Sequence, residues 1–401
     1  MRASLRVMRP AADLSVKHLV IGGGVVGLAT AARLSREGST ILLEKNTVLG
    51  EEVSARNSEV LHAGLYYPED SLKTKLCILG KLMLTEACKQ YSLPWKNTGK
   101  WVVAQNDEES KFLADLEVKA KRLGVPLHFI SEATRLAEEP KVRCKEALVS
   151  PSTGILDSHA IMQFFEGRIT ANEDSNIVTH TKAVSIAKSD SGYLVDTVDR
   201  EGERCLIEAD SVVNCAGLYA DLVAQMALGD AFPAHYRQYY CKGNYYAYSR
   251  KTLVSRLIYP VPEKNLKGLG VHVTIDLAGH MRFGPDAFYI DRPTDPWAAP
   301  DYTVYEYHLD DAHKAITKYL PEVKRDALYA DYSGIRPKLA GPGEPFRDFL
   351  IEEESARGFP GLVNLLGIES PGLTSSPAIA EHVAEKLGYN PCYRPDALTS
   401  H

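Results

Sequence analysis

The hydrophobic pattern changes its period several times along the chain. In "KHLVIGGGVVGLATAARLSREGSTILLEKN", beginning at Lys17, a short apolar run meets a glycine turn, apolar residues then recur at helical spacing, and a second apolar run ends at Glu44. An unbroken apolar run between turn signals predicts a buried strand, and the wider spacing predicts an amphipathic helix that Gly38 stops. Residues 71–90 predict a further helix, as do 107–123, "DEESKFLADLEVKAKRL", with acids at its start. Strand-like runs follow from about 176 to 214: "NIVTHTKAVSIAKS", "YLVDTVD", "RCLIEA" and "SVVNCAG", the last leading into a helix over "LYADLVAQMAL". Between 236 and 305 the period becomes two, in "YYAYS", "LGVHVTID" and "HMRFG", which predicts an antiparallel sheet open on one face. The chain closes with a strand, "LVNLLG", a small-residue turn, "IESPGLTSS", and a helix, "PAIAEHVAEKL". The organisation is α/β at both ends with antiparallel sheet inserted between.

The first unit carries chemistry. Gly22-x-Gly24-x-x-Gly27 follows a strand and opens a helix: the first glycine permits the tight turn, the second lets backbone approach a pyrophosphate, the third lets helix and strand pack closely. The helix start, at Val25 and Val26, offers N–H groups and a positive dipole end to phosphates. Glu44 ends the second strand, where a carboxylate accepts hydrogen bonds from ribose hydroxyls, and Lys45 follows it. Two distant segments look built to return to the same ligand. "SVVNCAGLYA" brings a strand to Ala216-Gly217, and "GIESPGLTSS", with Gly367, Gly372, Leu373 and Thr374, precedes the last helix, whose N–H groups would stabilise negative charge on a reduced flavin. Three such segments favour FAD over NAD.

Composition excludes more than it selects. With 401 residues, 45% of them hydrophobic and 24% charged, the chain suits a globular protein of about two domains. A net charge of −6 argues against nucleic acid or an anionic membrane as the main partner. Seven scattered cysteines without a CxxC pair suit a reducing compartment, mitochondrial or cytoplasmic, and imply no metal site. No apolar run reaches the ~20 residues of a membrane-spanning helix. Residues 1–16, basic and without an acid before Asp13, read as a tail or a short presequence.

Taken together, "VIGGGVVGLATAARL", "RNSEVLHAGLYYPEDSLKTKLC", "TGILDS", "VNCAGLYADLVA", "KGNYY", "YPVP", "LGVHVT", "SGIRPKL" and "GIESPGLTSS" resemble the D-amino-acid-oxidase-like FAD oxidoreductases from about residue 17 to 388. The resemblance implies a Rossmann-like FAD-binding domain (17–85, 148–225 and 335–401) with an inserted α+β substrate domain on a mixed or antiparallel sheet (86–147 and 226–334). It also implies hydride transfer from a substrate carbon to the flavin, with loss of the neighbouring hydroxyl proton. Within the family the likeness is greatest to members that oxidise L-2-hydroxyglutarate to 2-oxoglutarate. The electron acceptor, whether quinone, another carrier or oxygen, stays open. So do an amine or amino-acid oxidase, which the "GIRPK" style of the arginine motif favours, and a flavin-binding scaffold without turnover.

Hydroxyl oxidation needs a base, and histidine fits without large perturbation. His62 falls in the block that lies along the flavin in this family, and alternation puts His272 on one face of its strand with Gly270 and Thr274. A carboxylate substrate needs a cation, for which arginine's planar fork is suited. Arg336 matches the family's carboxylate-binding arginine, and Lys242 is a candidate for a second carboxylate. Tyr66, Tyr239 and Tyr259 are candidate hydroxyl donors. Ser54, Arg56, Asn57 and Ser58 are expected against the cofactor, and the family suggests a backbone contact to adenine at Val184. Glu59 is an acid where well-known members carry a small residue, and no role in the chemistry requires it.

Overall fold

The first apolar run forms the strand Leu14–Ile21, which lies parallel to both of its neighbours, Arg204–Asn214 and Thr40–Leu43. A parallel strand covered on both faces has no solvent side, which suits the apolar residues towards its C-terminal end, where Leu19 and Val20 are fully buried. The computed structural model describes residues 11–262 and 270–393. Residues 1–10 of the expected leader, and Leu269 of "LGVHVT", lie outside the described residues. The first sheet runs 181–188, 193–199, 204–214, 14–21, 40–43, 176–178, with 362–366 also pairing 204–214 and carrying 350–353 on its edge. Alternation along its strands splits the core. Val20, Leu42 and Val213 pack under the helices Val25–Leu34, Ser158–Thr170 and Gly372–Lys386. Leu19, Ile41 and Val212 pack with the helix Ala220–Leu228.

The second sheet runs 288–290, 239–248, 281–284, 272–275, 257–260, 100–104, 146–150, 128–129, with 328–338 also pairing 239–248. It is antiparallel except where Leu257–Pro260 meets Lys100–Ala104. One face buries Tyr246, Ile258, Val273 and Phe283 against the helix Leu309–Thr317. The face expected to be open is instead a wall of the central cavity, to which it contributes Gly243, Tyr245, Tyr259 and His272. The strand Leu328–Lys338 crosses the boundary placed at 335, so Arg336 and Lys338 belong to this second sheet.

The expected helices over 71–90 and 107–123 form as Leu72–Tyr91 and Asp107–Arg122. The last helix differs: it begins at Gly372, with Pro377 inside it, so Thr374 to Ser376 are helical rather than turn. Proline is favoured in the first turn of a helix, where its missing N–H leaves no bond unmade, but here it stands further in. The carbonyl of Leu373, one turn before Pro377, accepts a bond from Ser376 Oγ instead, at 2.9 Å.

Candidate active site

The glycine turn is closed to side chains. Gly22 has φ +111°, and a Cβ there would stand 2.4 Å from the Cys215 carbonyl oxygen; a Cβ on Gly27 would stand 1.9 Å from that of Gly22. These contacts clamp the helix Val25–Leu34 onto two strand ends, leaving Gly24, Val25 and Val26 on the cavity wall with Ala216 and Gly217. The helix has no cap of its own at Gly24; Ser54 Oγ supplies one from outside, accepting from Val25 N at 2.9 Å. Glu44 lines the same wall and accepts from Gly23 N and Asn46 N, each at 2.8 Å. Burial raises its pKa against the pull of those two bonds. Gly22→Ala is expected to yield protein that has lost most of its FAD, by about tenfold or more, read as the flavin-to-protein absorbance ratio after gel filtration. A wild-type ratio would show that the turn tolerates a side chain.

The block from Ser54 to Tyr67 crosses the floor of the cavity. Asn57 Nδ2 donates to the Ser54 carbonyl at 2.5 Å, and Ser58 Oγ lies 3.0 Å from the Tyr245 hydroxyl. The Arg56 guanidinium sits 4.0 Å from the centre of the Tyr302 ring. Glu59, with φ +55°, stands on the cavity wall with its carboxylate engaged: its Oε1 accepts from Ser158 N at 3.0 Å and Ser158 Oγ at 2.8 Å. A carboxylate beside the start of the helix Ser158–Thr170 is favourable with the helix dipole, so Glu59 braces the wall. His62 follows, its backbone N–H bonded to Thr374 Oγ1 at 3.1 Å and its ring on the cavity wall.

The second sheet closes the cavity with a different set of groups. His272 Nδ1 lies 3.0 Å from the Gly270 carbonyl. A carbonyl only accepts, so Nδ1 carries the proton and Nε2 presents its lone pair. That Nε2, the Tyr66 hydroxyl and Arg56 Nε are buried with no hydrogen-bond partner among the described residues. Buried polar atoms are nearly always paired, so three orphans around one cavity mark a ligand surface. The His272 ring stacks on Tyr259 at 3.7 Å. Lys100 Nζ lies 4.7 Å from the rings of both Tyr66 and Tyr259. Burial lowers His62 and His272 to about 3 and Lys100 to about 7. Both histidines are therefore neutral at pH 7. Arg336 lines the cavity with no ion pair among the described residues; its Nη1 donates to Cys241 Sγ at 3.9 Å. Gly243 makes room for it, since a Cβ there would come within 2.9 Å of Arg336 Nη1.

Gly24, Glu44, Arg56, His62, Tyr66, His272 and Arg336 line one cavity of about 440 Å³ that runs from the glycine turn to the second sheet. The DAO family of FAD dependent oxidoreductases matches residues 17–386. The chain belongs to that family. It is an FAD-dependent oxidoreductase, and the glycine clamp, the Glu44 wall and the small residues at 216–217 fit that cofactor. The chain is similar to the mitochondrial L-2-hydroxyglutarate dehydrogenase of Arabidopsis thaliana, 39% identical over 93% of this chain and 83% of the relative. It is also similar to a glycerol 3-phosphate dehydrogenase of Caloramator mitchellensis, 31% identical over 92% of this chain and 73% of that one. Among solved structures, the FAD-bound L-α-glycerophosphate oxidase of Mycoplasma pneumoniae superposes with a TM-score of 0.79 at 26% identity, over 95% of this chain and 97% of that one.

Several residues expected at the site stand elsewhere. Lys242 is 2% exposed and absent from the cavity wall; its Nζ donates to the carbonyls of Asp301 and Thr303, each at 2.7 Å. Strand alternation is the reason, since Gly243 and Tyr245 take the cavity face. Tyr239 shares their parity but lies beyond the wall, against Gly341. A bulge between Ala183 and Ser185 leaves Ala183 on the wall and Val184 off it. Gly367 and Thr374 are also behind the wall, Thr374 tying His62 N to the Val60 carbonyl. Sequence reasoning missed Lys73, Lys338, Glu369, Tyr245 and Trp297, all on the wall, and Lys100 behind it. For Lys338 a signal existed: it stands two residues after Arg336, on the same strand face.

Proposed function

We propose that this FAD-dependent oxidoreductase oxidises a small L-2-hydroxy acid, foremost L-2-hydroxyglutarate, to the corresponding 2-oxo acid. The observation that carries the reading is the convergence of an Arg336 without a carboxylate partner and a His272 Nε2 with a fixed lone pair on the cavity that fits the cofactor. Arg336 binds the substrate carboxylate and so fixes C2 and its hydroxyl. His272 Nε2 accepts the hydroxyl proton. Its ring is held neutral by burial, and the carboxylate delivered beside it raises its affinity for that proton. The Gly270 carbonyl holds the tautomer throughout, and the Tyr66 hydroxyl, which has no partner among the described residues, donates to the substrate. FAD, when bound, supplies the acceptor for the hydride leaving C2. The similarity to an L-2-hydroxyglutarate dehydrogenase at 39% identity supports the choice of acid.

Its seven free cysteines and the mitochondrial designation of relatives suit a reducing compartment, mitochondrial or cytoplasmic. Among the described residues, no helix is long and apolar enough to cross a membrane. The test is anaerobic mixing of the yellow holoenzyme with L-2-hydroxyglutarate, its D enantiomer, glycerol 3-phosphate and amino acids. Bleaching is expected with the L-hydroxy acid alone. Faster bleaching by an amino acid or by glycerol 3-phosphate would replace this reading.

A further inference from the structure

One group of charges on the cavity wall is unbalanced. Glu369 accepts from Lys73 Nζ at 2.8 Å and from Lys338 Nζ at 3.1 Å through each of its oxygens. Arg336 adds a third cation nearby. Burial would raise the Glu369 carboxyl, but Lys73, Lys338 and Arg336 outweigh it and hold its pKa at about 2. One carboxylate against three cations leaves a surplus of two positive charges on the wall. A structural ion pair needs one cation, and buried charge without compensation is costly.

Lys73 is the more telling of the two lysines. It is 2% exposed, in the first turn of the helix Leu72–Tyr91, where the helix dipole disfavours a cation. Asp348 already accepts from its backbone N–H at 3.0 Å. Its Nζ lies 5.3 Å from the centres of the Tyr67, Phe346 and Phe349 rings, a low-dielectric setting that strengthens any further ion contact. Lys338 comes from the same strand and strand face as Arg336, about 7 Å further along by strand geometry. Both lysines line the cavity. After their bonds to Glu369 both ammonium groups retain donors, since each carries three N–H.

We propose that Lys73 and Lys338, positioned by Glu369, form a subsite for the second anionic group of the substrate, so that the enzyme selects a dicarboxylic over a monocarboxylic 2-hydroxy acid. This rests on the 2-hydroxy-acid reading above, and it replaces Lys242 as the second cation. The surplus of two positive charges equals the charge of a dicarboxylate, with Arg336 taking the end that reacts and the lysines the other. Lys73, Lys338 and Glu369 are binding and positioning residues; none of them moves a proton in the reaction.

The test compares L-2-hydroxyglutarate with L-2-hydroxypentanoate, which keeps the carbon chain and replaces the distal carboxylate by a methyl group. The ratio of kcat/KM values, dicarboxylate over monocarboxylate, is expected to fall roughly 10- to 100-fold in Lys338→Met and in Lys73→Met holoenzyme. A ratio unchanged in both variants overturns the subsite, because a merely structural role would lower both substrates alike. Binding without turnover separates this from the reaction itself. Glutarate and pentanoate are titrated into oxidised holoenzyme and followed by flavin absorbance, and glutarate is expected to bind at least about tenfold more tightly in the wild type, less so in Lys338→Met. Preferential glutarate binding without bleaching by either hydroxy acid would sink the reaction and leave the subsite standing. Bleaching by L-2-hydroxyglutarate without any glutarate preference would do the reverse. Displacement of glutarate by glycerol 3-phosphate at much lower concentration would assign the lysines to a phosphate and overturn the dicarboxylate.

Discussion

Replacing Arg336 with methionine is expected to lower kcat/KM for L-2-hydroxyglutarate by roughly two to three orders of magnitude while FAD stays bound. Removing one partner of a buried, hydrogen-bonded charge pair costs about 2–5 kcal/mol, and each 1.4 kcal/mol is about a factor of ten. The arginine makes no ion pair among the described residues, with Glu369 acting on it only at a distance, so its guanidinium N–H groups are available to a ligand. Most of the loss should appear in KM, because a carboxylate is held equally before and during the reaction and its loss removes uniform binding. Lysine at this position keeps the charge but not the planar fork, and its kcat/KM should fall between the two. Stopped-flow flavin reduction against substrate concentration reads both quantities. A methionine variant with unchanged KM would show that the substrate carboxylate binds elsewhere, with the lysines around Glu369 as the next place to look.

The parts of this site that sequence made legible are those whose constraints are local. Gly27 must be glycine because the Gly22 carbonyl stands where a Cβ would go, and Gly22, blocked by the remote Cys215 carbonyl, also has φ +111°; both glycines sit in a strand–turn–helix pattern visible in one short window. His272 was separable from Val271 and Val273 because the period of two sorts a strand into faces; Val273 packs in the core and His272 lines the cavity. The same period, applied to Tyr239–Tyr248, would have set Lys242 apart from Gly243 and Tyr245. The bulge at Val184 and the helical run of Thr374 to Ser376 ahead of Pro377 break local rules and were not legible. Glu369 and Lys73 illustrate a different limit. They meet across 296 positions of sequence, brought together only when the last helix packs on Leu72–Tyr91. No window that contains one contains the other. Glu59 is the converse case: it stood out in sequence as an acid in a chemical block, and its partner Ser158, 99 positions away and outside any local window, gives it a bracing role.

His272→Asn is expected to slow flavin reduction by L-2-hydroxyglutarate by roughly 10²- to 10⁴-fold, the usual contribution of a positioned base. Asparagine is chosen because its side-chain N–H can replace Nδ1–H towards the Gly270 carbonyl while nothing replaces the lone pair of Nε2. Binding of glutarate should therefore change little, and the loss should lie in the rate. His62→Asn serves as the comparison, since only its backbone groups are engaged by hydrogen bonds to described residues and no partner fixes its tautomer. Its reduction rate should stay closer to wild type. The pH dependence sharpens the assignment. Burial lowers His272 to about 3, so in the free enzyme it keeps its lone pair throughout the neutral range. An inflection of kcat/KM near pH 7 would then belong to Lys100, whose burial brings it to about 7 and which is protonated below that pH and neutral above it. Losing that charge as pH rises weakens the attraction for an anionic substrate, so kcat/KM should fall through the inflection. The inflection should persist in His272→Asn at its reduced rate and vanish in Lys100→Met. If it vanishes in His272→Asn instead, the histidine titrates near neutrality in the working enzyme, and Lys100 has no part in the profile.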